Sequence, residues 1–383
     1  MGVRAVMSVR QRYNPPRKVL DLLEAFRRLV NRSIEIGLKE NVTSLKALSL
    51  RSYRHLPKEI LAYYRLCAIS SAAGMLRNYR KAERKNLKAR KPRVRRAFLT
   101  TCYGFKVEDG TLKLPIKPRK HLRIPLNRHT LEVLSDPGLD ARSVTLTARA
   151  LTISFSKEVE ETEPTGYLGV DVNLENVSTV STSGSIRVYD VSKAPKIKEV
   201  YREVKSHFRR NDVRIRRRIY GKYGRKQRNK VNQMFHRVSK RIVQEAKEKQ
   251  LGIVLEKLKG IRKLYRRWNG QGRKYRAKMN SWSFYELQRQ IGYKARWEGV
   301  KVVYVSARGT SKACSICGSE TRMGTDRSLW CPSCRVSIDR DVNAARNLAA
   351  RGLWFGPVAS PTEAMVAEPL SKGNPQSRWR GVG

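Results

Sequence analysis

Cys314-x-x-Cys317, then thirteen residues, then Cys331-x-x-Cys334, sets four thiols in two close pairs late in the chain. Pairs so spaced can meet at one tetrahedral centre, a geometry zinc accepts from sulfur ligands. A chain committed to such a centre must wrap a small closed element around it. Cys317-Gly318 and Cys331-Pro332 resemble the tight knuckle turns that aim backbone amides at metal-bound sulfur. Four thiolates leave no open coordination position, so the expected ion is structural and not catalytic. The two remaining cysteines, Cys67 and Cys102, are far apart in the sequence and read as buried thiols, not a bridge. A reducing cytoplasm fits that usage.

The cysteine element interrupts a second pattern. Asp171 lies within the apolar run of GVDVN, Glu256 closes the apolar run IVLE, and Asp341 opens the helical pattern DRDVNAARNL. An unpaired carboxylate inside an apolar strand is costly to desolvate, and a cation removes the difficulty. Three carboxylates converging from strand ends and a helix start can hold two Mg²⁺ or Mn²⁺ ions, hard cations that take oxygen ligands. Such a pair serves phosphodiester hydrolysis. Each acid taken singly also has a plainer reading. Asp341 can cap the last helix, since Asp is a favoured N-cap, and Glu256 can be an exposed strand end. Asp339 is the better candidate for a pure cap, and Arg340 for a phosphate contact or surface charge. Asn343 can orient a ligand or pack at the helix start.

Charge narrows the partners. The 383 residues carry a formal charge of +50, from 82 Lys and Arg against 32 Asp and Glu. Such an excess repels itself in a compact fold unless a polyanion neutralises it, and nucleic acid is the obvious one. The charge is concentrated: Lys193 to Met279 holds 31 basic and 6 acidic residues, half of the net excess. Candidate contacts there are Arg216, Arg217, Arg218, Arg225, Lys226, Arg266, Arg267, Trp268, Arg273 and Lys274. Tyr220, Tyr223, Tyr265, Trp268 and Tyr275 are interleaved with these cations and can stack on bases or simply pack. No apolar run reaches membrane-spanning length, the start MGVRAVMSVR lacks a signal peptide's apolar stretch, and no Gly-rich phosphate loop with Lys-Ser/Thr is present.

Periodicity divides the chain. A first strand (1–14) precedes a helical region (15–92), in which Leu20, Leu23, Phe26, Val30 and Ile34 recur at helical spacing and a second long helix runs from about Ile60 to Arg90. Residues 93–163 read as short strands separated by turns, a small antiparallel barrel joined by the N-terminal strand and closed by an acidic linker. From 164 the order is three strands, two long basic helices (about Lys196–Tyr220 and Gln227–Gln250), a strand ending at Glu256, an Arg- and Gly-rich loop, a helix from about Trp282 to Trp297 and a fifth strand. The cysteine element (307–338) and a last helix (339–352) follow. This is the succession of a ribonuclease-H-like fold. Residues 353–383, rich in Pro, Gly and Ser, read as disordered.

GVDVNLENVSTVS, FHRVSKRIVQEAKE, IVLEKLKG, YKARWEGVKVVYVSARGTSKACSICG and CPSCRVSIDRDVNAARNLA resemble the TnpB (OrfB) proteins of insertion sequences, similar to the type V CRISPR nucleases. The resemblance covers roughly Gly166 to Leu353 and, more loosely, the preceding strands. It implies an RNA-guided DNA endonuclease of a transposable element, with guide RNA and double-stranded DNA as partners. Asp171, Glu256 and Asp341 would match the acids of a RuvC-type core, and Cys314, Cys317, Cys331 and Cys334 its zinc ribbon. The helical region would be a recognition lobe and the barrel a wedge domain gripping guide RNA. One departure is Asn173, where many relatives have Gly. A non-cleaving RNA-guided regulator would share every feature except a working metal site, and a transposase proper also uses carboxylates on such a core.

Overall fold

The computed structural model describes residues 2–87, 89–117, 119–208, 213–258, 260–265, 270–324 and 326–355. Of the expected disordered tail, Leu353–Phe355 forms a short 3₁₀ turn, and the rest lies outside the described residues. The chain falls into two compact units, Arg4–Glu158 and the segment from Val159 onward, which takes in the first three residues as well.

In the first unit, β1 (Val3–Arg12) precedes α1 (Arg17–Lys39), α2 (Leu45–Ser52) and α3 (Ala62–Glu83). α1 buries Val19, Leu23, Phe26, Val30 and Ile34, so Val19 and not Leu20 begins the stripe. α2 has no apolar periodicity to announce it, and starts where Ser44 Oγ accepts from the Ala47 amide. Then come β2 (Phe98–Thr101), β3 (Lys106–Glu108), β4 (Thr111–Lys117), β5 (Lys120–Pro125), α4 (Arg128–Leu134), β6 (Asp140–Thr147) and β7 (Ala150–Val159). These strands are hydrogen-bonded into two sheets, β1-β7-β6-β2 and β3-β4-β5. The N-terminal strand takes its place beside β7. The reading of Cys102 as a buried thiol is corrected: it is exposed, in the bend after β2, while Cys67 on α3 is buried.

The second unit contains β8 (Gly166–Val172), β9 (Asn176–Ser181), β10 (Ile186–Asp190), α5 (Lys193–Ser206), α6 (Val213–Glu248), β11 (Leu251–Glu256), α7 (Arg273–Asn280), α8 (Phe284–Trp297) and β12 (Val302–Val305). β13 (Arg322–Met323), β14 (Ser328–Cys331), β15 (Val336–Asp339) and α9 (Arg340–Gly352) complete it. Five strands form one sheet in the order β10-β9-β8-β11-β12. β8 is antiparallel to β9 and parallel to β11, which is parallel to β12. Two boundaries differ from those read in the sequence. α5 stops at Ser206, and α6 runs unbroken through Gly221 and Gly224, positions where a break was expected. An interior glycine costs a helix only about 1 kcal/mol. The apolar stripe of Val231, Phe235, Val238, Ile242 and Val243 is packed into the core. α7 lies in the stretch read as a loop; it buries no residue, so it has no apolar stripe to betray it.

β8 is buried along its whole length. Its side chains alternate between two layers, as the strand period of two requires. Leu168, Val170 and Val172 join α6 and α8 in one core, while Tyr167 joins Val254, Val305 and Leu348 of α9 in the other. Gly169 and Asp171 share the α9 side. A Cβ at Gly169 would lie 2.0 Å from Ala345 O and 2.5 Å from Ala349 N. Only glycine lets α9 lie flush on β8, and that contact brings the start of α9 to the end of the sheet.

Candidate active site

The close seating of α9 assembles the acids. Asp171 is next to last in β8, 8% exposed. Glu256 is the last residue of β11, one step beyond the ladder pair Leu255↔Val170, so it comes alongside Asp171. Asp341 stands in the first turn of α9, 4% exposed. The cap of that helix is Asp339, whose Oδ1 accepts from the amides of Asp341 and Val342 at 2.9 Å. The Asp341 side chain is thereby left free for other work. Asn343 packs at the helix start and ties it to the cysteine element. Its Oδ1 accepts from Ser315 N and its Nδ2 donates to Ala313 O, each at 2.8 Å.

Each carboxylate has a neutral or cationic partner. Asn173 Nδ2 donates to Asp171 Oδ2 at 2.6 Å, and Trp282 Nε1 donates to the Asn173 carbonyl at 3.1 Å. Thr310 Oγ1 donates to Glu256 Oε1 at 2.7 Å. Arg327 Nη2 donates to both oxygens of Asp341, at 2.7 and 3.1 Å, and Asn176 Nδ2 donates to Asp341 Oδ2 at 2.9 Å. Burial, then the charge of Glu256 and that of Asp341, push the Asp171 carboxyl up to about 7, against the hydrogen bond from Asn173. Burial also raises the Glu256 carboxyl, offset in part by Thr310 and by the charge of Arg351. Asp171 therefore feels the charge of both other acids.

This donor set fits a hard divalent cation. Mutually repelling carboxylates in a buried site are stabilised by positive charge, and oxygen is the ligand Mg²⁺ and Mn²⁺ take. Two further oxygens, Ser178 Oγ and Asn176 Oδ1, are buried there with no hydrogen-bond partner. The carboxylates form a looser cluster than the cysteines. Among the described residues, the four cysteines are the one group of three or more Cys, His, Asp or Glu whose ligand atoms all lie within 4.8 Å of one another.

Those cysteines can hold a metal ion such as zinc. They sit around the three-stranded antiparallel sheet β13-β14-β15. Sγ of Cys314 and Cys334 are 3.9 Å apart, and those of Cys317 and Cys331 are 3.5 Å apart. The Ile316 amide points at Cys314 Sγ and the Cys334 amide at Cys331 Sγ, each at 3.4 Å. These are the turns that the CxxC spacing leads one to expect. A hydrogen bond with Ser319 is the main cause that holds the Cys317 thiol down to about 6, while burial pushes Cys314 up.

The basic candidates separate into three sets. Arg217, Arg218, Arg225 and Lys226 are exposed along α6, and Arg273 and Lys274 along α7. Arg216 belongs to α6, but its side chain lies outside the described residues, as do Arg266, Arg267 and Trp268 altogether. Of the interleaved aromatics, Tyr223 packs against Tyr201 and Phe208, and Tyr265 against Tyr275.

Sequence reasoning missed Arg327, Thr310 and Asn176. Arg327 sits between the two cysteine pairs, where no local pattern marks it. Asn176 does carry a trace: Asn176 and Ser178 alternate with Val177 and Thr179, so one face of β9 begins polar.

A family model described as Cas12f1-like, TNB domain, matches residues 284–348. The TnpB-like protein MJ0751 of Methanocaldococcus jannaschii is 28% identical over 275 residues, 68% of this chain and 98% of that protein. The CRISPR-associated endodeoxyribonuclease Cas12f1 of Sulfoacidibacillus thermotolerans is 35% identical over 118 residues, 30% of this chain and 25% of that one. The cryo-EM structure of a Cas12f1–sgRNA–target DNA complex superposes with a TM-score of 0.59 at 13% identity, over 87% of this chain and 83% of that one. That likeness is one of fold, a multi-domain α/β nuclease fold.

Proposed function

The chain belongs to the TnpB family, related to the type V nucleases, and on that footing we propose that it is an RNA-guided, metal-dependent DNA endonuclease with a RuvC-type, ribonuclease-H-like core. The observation that carries this reading is the convergence of Asp171, Glu256 and Asp341 on one side of one sheet, beneath α9. Its partners are a guide RNA and a double-stranded DNA target, in keeping with the charge of +50 and with the complex that the similar solved structure contains. A recognition lobe (15–92) and a wedge (1–14 and 93–163) fall for the most part in the unit Arg4–Glu158. The segment 307–338 is a zinc ribbon that engages the target.

The acids act chiefly as ligands. Asp171, Glu256 and Asp341 would hold Mg²⁺ or Mn²⁺, which activates water and neutralises charge on the leaving oxygen. Asn173, fixed by Trp282, sets the orientation of Asp171. Thr310, itself 2% exposed, sets that of Glu256. Asn176 and Arg327 hold Asp341, and Arg327 places a guanidinium beside the acids where a phosphate would approach. Arg217, Arg218, Arg225 and Lys226 on α6 take up nucleic-acid backbone, holding the strands by charge without reading their sequence.

The test is to purify the chain with the RNA that accompanies it, sequence that RNA, and supply a matching DNA duplex with Mg²⁺. Cleavage that stops on chelation supports the proposal. Specific binding with no cleavage under any divalent ion would replace the endonuclease by a non-cleaving regulator.

A further inference from the structure

The sheet face that carries Asp171 continues onto β9. Asp171 stands opposite Ser178 in the antiparallel ladder, so their side chains share a face, and Asn176, two residues along, shares it too. Neither Ser178 Oγ nor Asn176 Oδ1 has a hydrogen-bond partner, although both atoms are buried. Ser178 is 1% exposed, on the face of β9 turned the same way as Asp171. Unpaired polar atoms inside a protein are costly, and an alanine or valine would avoid the cost at either position. The other half of the Asn176 carboxamide is engaged: Nδ2 donates to Asp341 Oδ2 at 2.9 Å, the oxygen that also accepts from Arg327.

We propose that Asn176 is a constituent of the metal site, its Nδ2 fixing the rotamer of Asp341 and its Oδ1 serving as a neutral oxygen for the cation, directly or through one of the cation's waters. The inference rests on the acid cluster being a metal site. The chemistry suits the position. A fourth carboxylate would add repulsion to a cluster in which Asp171 is already strained by two neighbours, whereas an amide oxygen adds a ligand without charge. Its amide nitrogen at the same time does what outer partners of ligating carboxylates do, holding the ligand in one orientation. Ser178, opposite Asp171, supplies a hydroxyl that can hydrogen-bond a coordinated water on the same face.

Mn²⁺ binding to the full, zinc-loaded chain provides a test independent of cleavage. Free Mn²⁺ is followed by its electron paramagnetic resonance signal during titration of the parent, Asp171→Ala, Asn176→Ala and Asn176→Asp. The parent should bind and Asp171→Ala should lose the site, which establishes the acid cluster. Asn176→Ala should then weaken Mn²⁺ affinity by about 10–100-fold, the usual effect of losing such a partner. Asn176→Asp, which keeps an oxygen there but not the donor to Asp341, should bind Mn²⁺ more tightly than Asn176→Ala. Parent-like affinity in Asn176→Ala, beside a dead Asp171→Ala, overturns the inference and leaves the acid site standing. Binding by Asn176→Asp no tighter than by Asn176→Ala overturns the oxygen assignment, and loss of the site in Asn176→Asp, as in Asp171→Ala, does so if the alanine variant does not fold. A parent that binds no Mn²⁺ removes the metal site and this inference together.

Discussion

Asp171 is under electrostatic tension. Its carboxyl is raised from its ordinary value to about 7 by burial and by the charges of Glu256 and Asp341. A carboxyl whose folded value exceeds its unfolded one binds its proton more tightly when folded. Its contribution to stability is therefore complete below about pH 4 and is lost as pH rises through about 7. Asp171→Asn should abolish that loss. Without divalent cation at pH 8, the variant should be more stable than the parent by a few kcal/mol, since each tenfold gain in proton affinity on folding is worth about 1.4 kcal/mol. The gap should close near pH 4. Denaturant unfolding at the two pH values measures it; an equal gap at both would mean that Asp171 is not strained by ionisation. The sequence makes Asp171 visible because a charge inside an apolar strand has to be explained. Thr310, Asn176 and Arg327 are not visible, because their meaning is relational. Asn176 and Asp341 are 165 positions apart in the chain, and nothing local in either segment predicts that they meet.

Among elements, the cysteine ribbon is the most legible, since its spacing is its geometry. If Cys314, Cys317, Cys331 and Cys334 bind one structural zinc, metal binding and local folding are coupled. Cys331→Ser should lose most of the bound zinc by elemental analysis and weaken DNA engagement. Zinc-free parent protein, purified without chelator, would contradict the assignment. α6 was legible in two pieces, its start read as the end of the preceding helix and the rest, from Gln227, as a helix of its own. In the second piece the stripe from Val231 to Val243 marks the buried face; the first half of α6 is exposed and basic, and offers periodicity no apolar side by which to join the two. That exposed half makes its own prediction. Each phosphate contact releases condensed counterion, so replacing Arg216, Arg217 and Arg218 by Ala should flatten the log–log salt dependence of nucleic-acid binding, by about 2–3 in slope if all three engage phosphate. An unchanged slope assigns the cluster to solvent. α2, α4 and α7 escaped the sequence reading because they are short, or bury too little to leave a stripe.

For the whole molecule, the succession of strands and helices from Gly166 onward was readable, because β8 and β11 are apolar runs and β9 is rich in β-branched residues, each between turn signals. The division of the earlier strands into two sheets was not, since pairing partners are chosen by packing that alternation alone does not encode. The chain carries a charge of +50, and the sheet of its second unit brings three acids together at one end. No helix among the described residues is long and apolar enough to cross a membrane. The central claim is that this acid cluster cuts DNA under the direction of an RNA. Its most direct measurement is cleavage of a guide-matched duplex with Mg²⁺ by the RNA-loaded parent, compared with Asp171→Ala, Glu256→Ala, Asp341→Ala and Asp339→Ala. Each of the first three should abolish cutting while guide-dependent binding survives, because a ligand is lost from a site that repels itself when empty of positive charge. Asp339→Ala should cut, with a helix weakened by about 0.5–2 kcal/mol for want of its cap. A parent that cuts while Asp341→Ala cuts equally well would contradict the three-acid site.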